Sequence, residues 1–217
     1  MNRYEVKGIL FDLDGTLIDS RRDIAACVNY TLSELGGYPP LSLESVEQMV
    51  GDGVRQLLTR AAGPMDEPTM KRALDIFLPY YLDHCADTTQ LYPNVLETLN
   101  ALGSRGLAVV TNKPMAHTEK TLKALGMDDL FPVVLGGDSL ATRKPHPAPV
   151  LEAVRRLGVS PDQALMVGDS PMDIHAARSA GVRVAAVTYG FRTGAELMSH
   201  APDYLLGGFA ELREVLS

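Results

Sequence analysis

Gly8-Ile9-Leu10-Phe11-Asp12-Leu13-Asp14-Gly15-Thr16-Leu17 is an apolar run that delivers two carboxylates, two positions apart, into a glycine turn. Read as a buried strand, Gly8 to Phe11 places Asp12 and Asp14 at its carboxyl end, the edge at which open α/β sheets bind ligands. A carboxylate pair there can hold a metal ion, and one member can attack an electrophile while the other moves protons. The competing reading is a calcium-binding EF-hand loop, which needs glycine at its sixth position and Glu at its twelfth. Counted from Asp12, glycine is fourth and the twelfth residue is Asp23, so that reading fails. A plain strand-to-loop turn stays open from this run alone.

Outward from it, short apolar runs alternate with helical patterns. Val6–Phe11, Leu107–Thr111, Val133–Leu135, Ala164–Val167, Val184–Thr188 and Tyr204–Leu206 read as strands. Several are continuously apolar, as strands covered on both faces are. Helical patterns span Asn94–Leu102, Ala116–Leu125, Ala148–Leu157 and Met172–Ala180, with Gly106, Gly126, Gly158 and Gly181 following as expected C-terminal caps. The alternation predicts an α/β fold with a doubly wound parallel sheet, a Rossmann-like core. Roughly Arg21 to Ala86 breaks the alternation. It holds helical patterns at Asp23–Leu35, Leu43–Val50, Val54–Ala62 and Thr69–Asp83, punctuated by Pro39-Pro40 and Gly63-Pro64. The expected organisation is a catalytic core of residues 1–18 and 88–217 with an inserted helical cap of residues 19–87. Placed just after the carboxylates, the cap reads as a lid or as a structural decoration.

The chain has 217 residues, 46% hydrophobic and 22% charged, which is ordinary globular composition with length for one large core or a core and a small second domain. A net charge of −7 argues against nucleic-acid binding, which needs clustered Lys and Arg. No apolar run reaches the length of a membrane span. Met1 to Lys7 leads into the first strand without a secretory pattern, and Cys27 and Cys85 suggest no disulfide framework. A cytoplasmic location is therefore expected, with a small molecule as partner and either a monomer or a homodimer.

Three further strand ends carry polar residues. Thr111-Asn112-Lys113 follows Ala108-Val109-Val110, and Gly168-Asp169-Ser170-Pro171-Met172-Asp173 follows Leu165-Met166-Val167. Arg143-Lys144-Pro145 lies in the loop after Gly136-Gly137-Asp138. In parallel strands all would converge on one edge with Asp12 and Asp14. The chemistry they fit is phosphoryl transfer. A phosphate monoester repels a carboxylate nucleophile, so a divalent cation must bridge the two and a lysine must neutralise the phosphoryl oxygens. A hydroxyl and an amide can donate to those oxygens. Asp12, Asp169, Lys144, Thr111 and Asn112 supply these parts. Magnesium (Mg2+) suits oxygen ligands and a phosphate substrate. Asp14 fits the general acid that protonates the leaving alkoxide and later deprotonates water.

These segments resemble, in order, the four motifs of the haloacid dehalogenase-like superfamily of phosphatases: Asp12-Leu13-Asp14-Gly15-Thr16, Thr111-Asn112, Lys144-Pro145, and Gly168-Asp169 with Asp173. The resemblance covers the chain nearly end to end. It implies Asp12 as nucleophile through an aspartyl phosphate. It also implies magnesium held by the Asp12 carboxylate, the Asp14 backbone carbonyl and the Asp169 carboxylate. Asp173 would be an additional ligand or stand behind the ligands; an acid in the first turn of a helix, stabilised by the dipole, is the other reading. Haloacid dehalogenases lack the second aspartate of the first motif, so Asp14 disfavours dehalogenation. Mutases of the β-phosphoglucomutase kind keep both aspartates and stay open, as do pyrophosphatases and sugar-phosphate phosphatases. A phosphorylated receiver domain is about half this length and has no helical insertion. A silent binding scaffold would be expected to have lost Asp14.

Ile18 to Ala26, Val50-Gly51-Asp52-Gly53-Val54, Thr111-Asn112-Lys113-Pro114, Gly136-Gly137-Asp138, Arg143 to Pro149 and Thr188-Tyr189-Gly190 are similar to the phosphoglycolate phosphatase branch. Its substrate carries a carboxylate beyond the phosphate. Gly51 and Gly53, opening a predicted helix, offer backbone N–H donors, and Arg55 a bidentate clamp; an exposed helix arginine is the alternative for Arg55. Asp52 departs from the Asn expected in that branch, and Phe191-Arg192-Thr193-Gly194 departs as well. His146 is expected to make a loop contact. His117, His175 and His200 fall on predicted helices and are expected to be partly exposed. Tyr80-Tyr81 reads as packing within the insertion, and Gly15 and Gly168 as tight turns near an ion or phosphate.

Overall fold

Strand periodicity divides β1 (Gly8–Phe11) between two apolar layers: Ile9 and Phe11 enter one cluster and Leu10 the other, all fully buried. In the computed structural model, which describes residues 5–216, this strand is central to a six-stranded sheet. Residues 1–4 of the N-terminal lead-in and Ser217 of the expected core segment lie outside the described residues. After β1 come β2 (Ile18–Asp19), α1 (Arg21–Leu35), α2 (Leu43–Glu47), α3 (Val54–Ala62), α4 (Glu67–His84) and β3 (Gln90–Leu91). Then follow α5 (Val95–Ala101), β4 (Gly106–Val110), α6 (Met115–Ala124), β5 (Val133–Leu135), α7 (Ala148–Leu157) and β6 (Ala164–Gly168). The chain ends through α8 (Pro171–Ser179), β7 (Arg183–Val187), α9 (Gly194–Ser199), β8 (Tyr204–Leu206) and α10 (Leu212–Val215).

The sheet order is β5-β4-β1-β6-β7-β8, parallel throughout. Strand order runs outward from β1 in both directions, so the switch point lies at its carboxyl end. Phe11 pairs in register with both Val109 and Val167, which brings the residues after each strand to one edge. Residues of α5, α6 and α10 cover one face and residues of α7, α8 and α9 the other. This is the doubly wound α/β sheet that the sequence predicts, with all six expected strands present.

Two expectations shift. Gly106 is the first residue of β4, its N–H donating to Lys7 O at 2.8 Å, and is not a cap. Because α5 ends at Ala101, the left-handed position falls on Gly103, while Gly126, Gly158 and Gly181 do take positive φ after their helices. The antiparallel ribbon of β2 and β3 was not foreseen, because two residues per strand carry no periodicity.

Helices α1–α4 gather a separate apolar cluster. Ile24, Val28 and Leu32 of α1 meet Met70, Ala73, Phe77 and Tyr81 of α4, with Leu57 and Leu58 of α3 beneath. The polypeptide leaves and re-enters the sheet through the β2–β3 ribbon, where Asp23 fastens it. Its carboxylate accepts from Thr88 N–H at 3.0 Å, Thr88 Oγ1 at 2.5 Å, Thr89 N–H at 2.9 Å and Thr89 Oγ1 at 2.7 Å. Burial alone would push this carboxyl up, but the four donors outweigh it and hold it below its ordinary value of 3.8.

Asp23→Ala strips the acceptor from buried Thr89 and from exposed Thr88, whose donors water can reach, and should lower stability by about 1–3 kcal/mol, read as an earlier urea midpoint with unchanged slope. The depressed carboxyl adds stability above the unfolded value near 3.8 and loses it as pH falls through the lower folded value. Wild type should therefore lose its advantage over Asp23→Ala only on acidification below about pH 4; a gap between the two that is constant down to pH 2 would show that the bonds do not depend on charge.

Candidate active site

Asp12 directly follows β1 and Asp169 directly follows β6, and the turn after Asp169 starts α8 so that Asp173 returns to the same spot. Oxygens of the three carboxylates lie within 4.8 Å of one another, and all three residues are buried. The Asp12 side chain accepts from Leu13 N–H at 2.7 Å, and Asp169 accepts from Phe191 N–H at 2.7 Å. Asp173 accepts from Ser170 N–H and Oγ at 3.1 and 2.6 Å, closing the first turn of α8. Its other oxygen lies 2.6 Å from Lys144 Nζ, which also reaches Asp12 Oδ1 at 3.0 Å. One Asp173 oxygen thus serves the start of the helix and the other faces Lys144.

Burial raises the Asp12 carboxyl to about 6, with Lys144 pulling it down and Asp173 pushing it up. Asp169 rises well above the ordinary range, through burial first and then through Asp12 and Asp173. Burial disfavours the charged form of Lys144, but its two carboxylates prevail and raise its pKa. With Asp14 and Lys113 included, four carboxylates face two ammonium groups, leaving two negative charges uncompensated within this set when all are ionised. Three converging carboxylates with no sulfur or imidazole fit a hard divalent cation.

Backbone crowding shows how tightly this edge is built. Gly15 has φ +85°, and a Cβ on it would lie 2.2 Å from Asp169 Oδ2. Gly168 is a strand residue without positive φ, not a turn glycine; a Cβ there would lie 2.3 Å from Asp173 Cγ.

The end of β4 supplies Thr111, Asn112 and Lys113, all buried. Thr111 Oγ1 accepts from Lys113 N–H at 3.2 Å. Both side-chain N–H groups of Asn112 are used, on Gly51 O at 2.8 Å and Lys144 O at 2.9 Å. Its amide therefore braces the helical segment and the lysine loop, which differs from the phosphoryl contact expected of it. Asp14 accepts from Ser20 Oγ at 2.5 Å and from Lys113 Nζ at 3.1 Å. Lys113 Nζ also donates to the hydroxyl of Tyr81, from α4. Neither Lys113 nor Tyr81 stood out in sequence as a site residue; Lys113, directly after Thr111-Asn112, was the available signal. His117, expected to be partly exposed, is buried, with its ring centroid 5.1 Å from that of Tyr81 and Nε2 2.9 Å from Leu78 O. His146 makes the expected loop contacts, to Thr142 and Ala148.

Helices α1–α4 lie over this edge and leave a cavity of about 50 Å³. Gly51 and Gly53 line it as expected, beside Ile24, Val54, Leu57 and Phe77. Arg55 does not. As the second residue of α3, its side chain faces outward and forms two bonds with Glu67, at 2.9 and 3.1 Å, so the exposed-helix alternative describes it. Asp52 is likewise occupied, by Arg60. The 47–51 loop is held through its carbonyls. Arg192 donates to Glu47 O, Gln48 O and Val50 O at 3.2, 3.2 and 2.6 Å, Arg60 to Met49 O at 2.8 Å, and Asn112 to Gly51 O. The departure at Arg192 is thus a bridge between sheet and helical segment.

Residues 9–187 match the family described as haloacid dehalogenase-like hydrolase. The chain is 39% identical to the phosphoglycolate phosphatase of Nitrosococcus oceani, over 96% of each chain. It is 40% identical to that of Haemophilus influenzae, over 98% of this chain and 99% of the relative. Among solved structures it is similar to a predicted phosphoglycolate phosphatase from Haemophilus somnus 129PT, with a TM-score of 0.92, 39% identity and 98% of each chain covered. A haloacid dehalogenase-like family hydrolase from Streptococcus pneumoniae superposes with a TM-score of 0.87 at 28% identity, over 98% of this chain and 99% of the other.

Arg192→Ala removes the donor from three of these loop carbonyls. Amide exchange across residues 48–53 should quicken about tenfold or more, given roughly 1.5–3 kcal/mol for a charge-assisted bond. Unchanged exchange would show that water satisfies those carbonyls equally well.

Proposed function

The chain belongs to the haloacid dehalogenase-like hydrolase family, and on that premise we propose that it hydrolyses 2-phosphoglycolate to glycolate and phosphate through an aspartyl phosphate on Asp12. It is a phosphatase, a phosphoric monoester hydrolase. The observation that carries the mechanism is the convergence of Asp12, Asp14, Lys144, Asp169 and Asp173 on one sheet edge. In this reading the Asp12 carboxylate, the Asp14 backbone carbonyl and the Asp169 carboxylate hold magnesium, with Asp173 completing the acidic cluster and holding Lys144. When bound, the ion screens the ester's negative charge from the attacking carboxylate.

Asp12 attacks phosphorus as the ester P–O bond breaks, and the leaving alkoxide takes its proton from Asp14. Asp14 then removes a proton from water, which attacks the phosphoryl group and releases phosphate from Asp12. Lys144 neutralises phosphoryl oxygens, and the Thr111 hydroxyl donates to them in this reading. Asn112 keeps Lys144 in place through its carbonyl. Helices α1–α4 act as the cap, closing over the substrate and excluding water.

The lining of the space under the helices supports the two-carbon acid over a hexose phosphate: Ile24, Val54, Leu57 and Phe77 are apolar and offer no side-chain partner for sugar hydroxyls. The names of the relatives point to the same ester.

The test is phosphate release from 2-phosphoglycolate, pyrophosphate, β-glucose 1-phosphate and p-nitrophenyl phosphate, with magnesium and with EDTA. We expect kcat/KM for 2-phosphoglycolate to exceed the others by about 10²-fold or more, and EDTA to abolish release. A flat magnesium-dependent profile would keep the mechanism and remove the substrate. Asp12→Asn should lower kcat by at least about 10³-fold; substantial residual turnover would exclude Asp12 as nucleophile. Asp169→Asn should cancel the rise in Tm that magnesium gives wild type.

A further inference from the structure

We propose that Lys113 and Tyr81 form the subsite that receives the carboxylate of the leaving group, one donor supplied by the sheet and one by the cap. The proposal rests on the glycolate-ester reading above. Two cations line the cavity, Lys113 and Arg192. Arg192 is committed to the carbonyls of residues 47, 48 and 50 and to Glu196 at 3.5 Å. Arg55, the cation expected from the sequence, faces Glu67 outside the cavity. The ammonium of Lys113 has three donors, and among the described residues its side-chain bonds go to Asp14 and Tyr81.

The phenol adds a second donor. An ammonium can only donate, so in the Lys113–Tyr81 bond the Tyr81 oxygen is the acceptor. The hydroxyl proton of Tyr81 is then left over, at a residue 3% exposed. Burial first, and Asp14 next, raise the Tyr81 pKa well above 10, which keeps that proton on the oxygen. A buried O–H needs an acceptor, and a ligand carboxylate supplies one. The ring is fixed by His117 at 5.1 Å and by Phe77 at 5.2 Å between centroids.

Position fits the two-carbon acid. Asp14, which serves the ester oxygen, lies 3.1 Å from Lys113 Nζ. In the substrate a single CH2 separates that ester oxygen from the carboxyl carbon, so the carboxylate lies roughly 3 Å further on. A lysine can hold two carboxylates at once in such surroundings: Lys144 does so with Asp12 and Asp173, at 3.0 and 2.6 Å. Lys113 would hold Asp14 and the ligand in the same manner. Apolar Ile24, Leu57 and Phe77 around the cavity suit the CH2 and offer no side-chain partner for sugar hydroxyls. Because Tyr81 comes from α4 and Lys113 from the end of β4, both donors meet the carboxylate only with the cap closed.

The experiment compares kcat/KM for 2-phosphoglycolate with that for ethyl phosphate, which has the same two-carbon skeleton and no carboxylate. It uses wild type, Lys113→Met, Lys113→Arg and Tyr81→Phe. Lys113 also touches Asp14, so Lys113→Met will slow both esters; that common loss divides out of the ratio. We expect the wild-type preference for 2-phosphoglycolate to fall about 100-fold in Lys113→Met and about tenfold in Tyr81→Phe, the scale of losing charged and neutral hydrogen bonds. Lys113→Arg should recover part of it. If Lys113→Met does not fold, Tyr81→Phe and Lys113→Arg carry the test, since each keeps the ring or the charge. An intact preference in the folded variants would overturn the subsite and leave the glycolate reading standing. A wild type that does not distinguish the two esters would overturn both.

Discussion

Three carboxylates buried against one another are the constraint on which the rest of the molecule depends. Charges taken out of water and left unpaired are prohibitively costly, and like charges in contact cannot all ionise. The fold answers with Lys144 between Asp12 and Asp173, with backbone N–H groups from Leu13, Ser170 and Phe191, and with a remaining deficit that a divalent cation would fill. The rise of Asp12 to about 6 and the further rise of Asp169 show that the protein's own groups compensate only in part. The site is therefore built at a cost in stability that ligand binding can return.

That constraint accounts for much of the architecture. Parallel pairing of β1 with β4 and β6 sends three strand ends to one edge, which an antiparallel sheet would not do. Gly15 and Gly168 leave out the Cβ atoms that would strike Asp169 and Asp173. The helical segment begins six residues after Asp14, at Ser20, whose hydroxyl bonds Asp14 directly. Asp14 is thereby attached to the chain that leads into the helical segment, and through Lys113 and Tyr81 to that segment's last helix.

What the sequence made legible follows from the range of the signal. The six-stranded parallel sheet was readable because each apolar run is buried on both faces, and α1–α4 because Ile24, Val28 and Leu32 recur at helical spacing. Asp12, Asp169, Lys144 and Asp173 were readable because each follows an apolar run or a motif in the same order. The β2–β3 ribbon was too short for any period. Asp23 on Thr88 and Thr89, and Lys113 on Tyr81, join residues far apart in the chain, and no local pattern encodes such pairs. Arg55 misled because helical position fixes the face of a residue, whereas Glu67 decides where its guanidinium goes. The motif names Asn112, while the neighbouring carbonyls of Gly51 and Lys144 decide where its two N–H groups go.

The two positions that depart from the phosphoglycolate phosphatase pattern, Asp52 and Arg192, belong to one structural arrangement. The turn after α2 presents successive carbonyls; that of Glu47 already accepts from Val50 N–H at 3.3 Å, and the others need donors when they are covered. Arg192 takes those of Glu47, Gln48 and Val50, Arg60 takes that of Met49, and Asn112 that of Gly51. Asp52 neutralises Arg60, so its charge is spent on the loop and not presented to an anionic substrate. Two of these donors, Arg192 and Asn112, come from the sheet side, and their four bonds tie the loop to it. The loop is consequently held by its own carbonyls. The two cations that line the cavity therefore differ: Arg192 is committed to this loop, whereas Lys113 meets Asp14 and Tyr81.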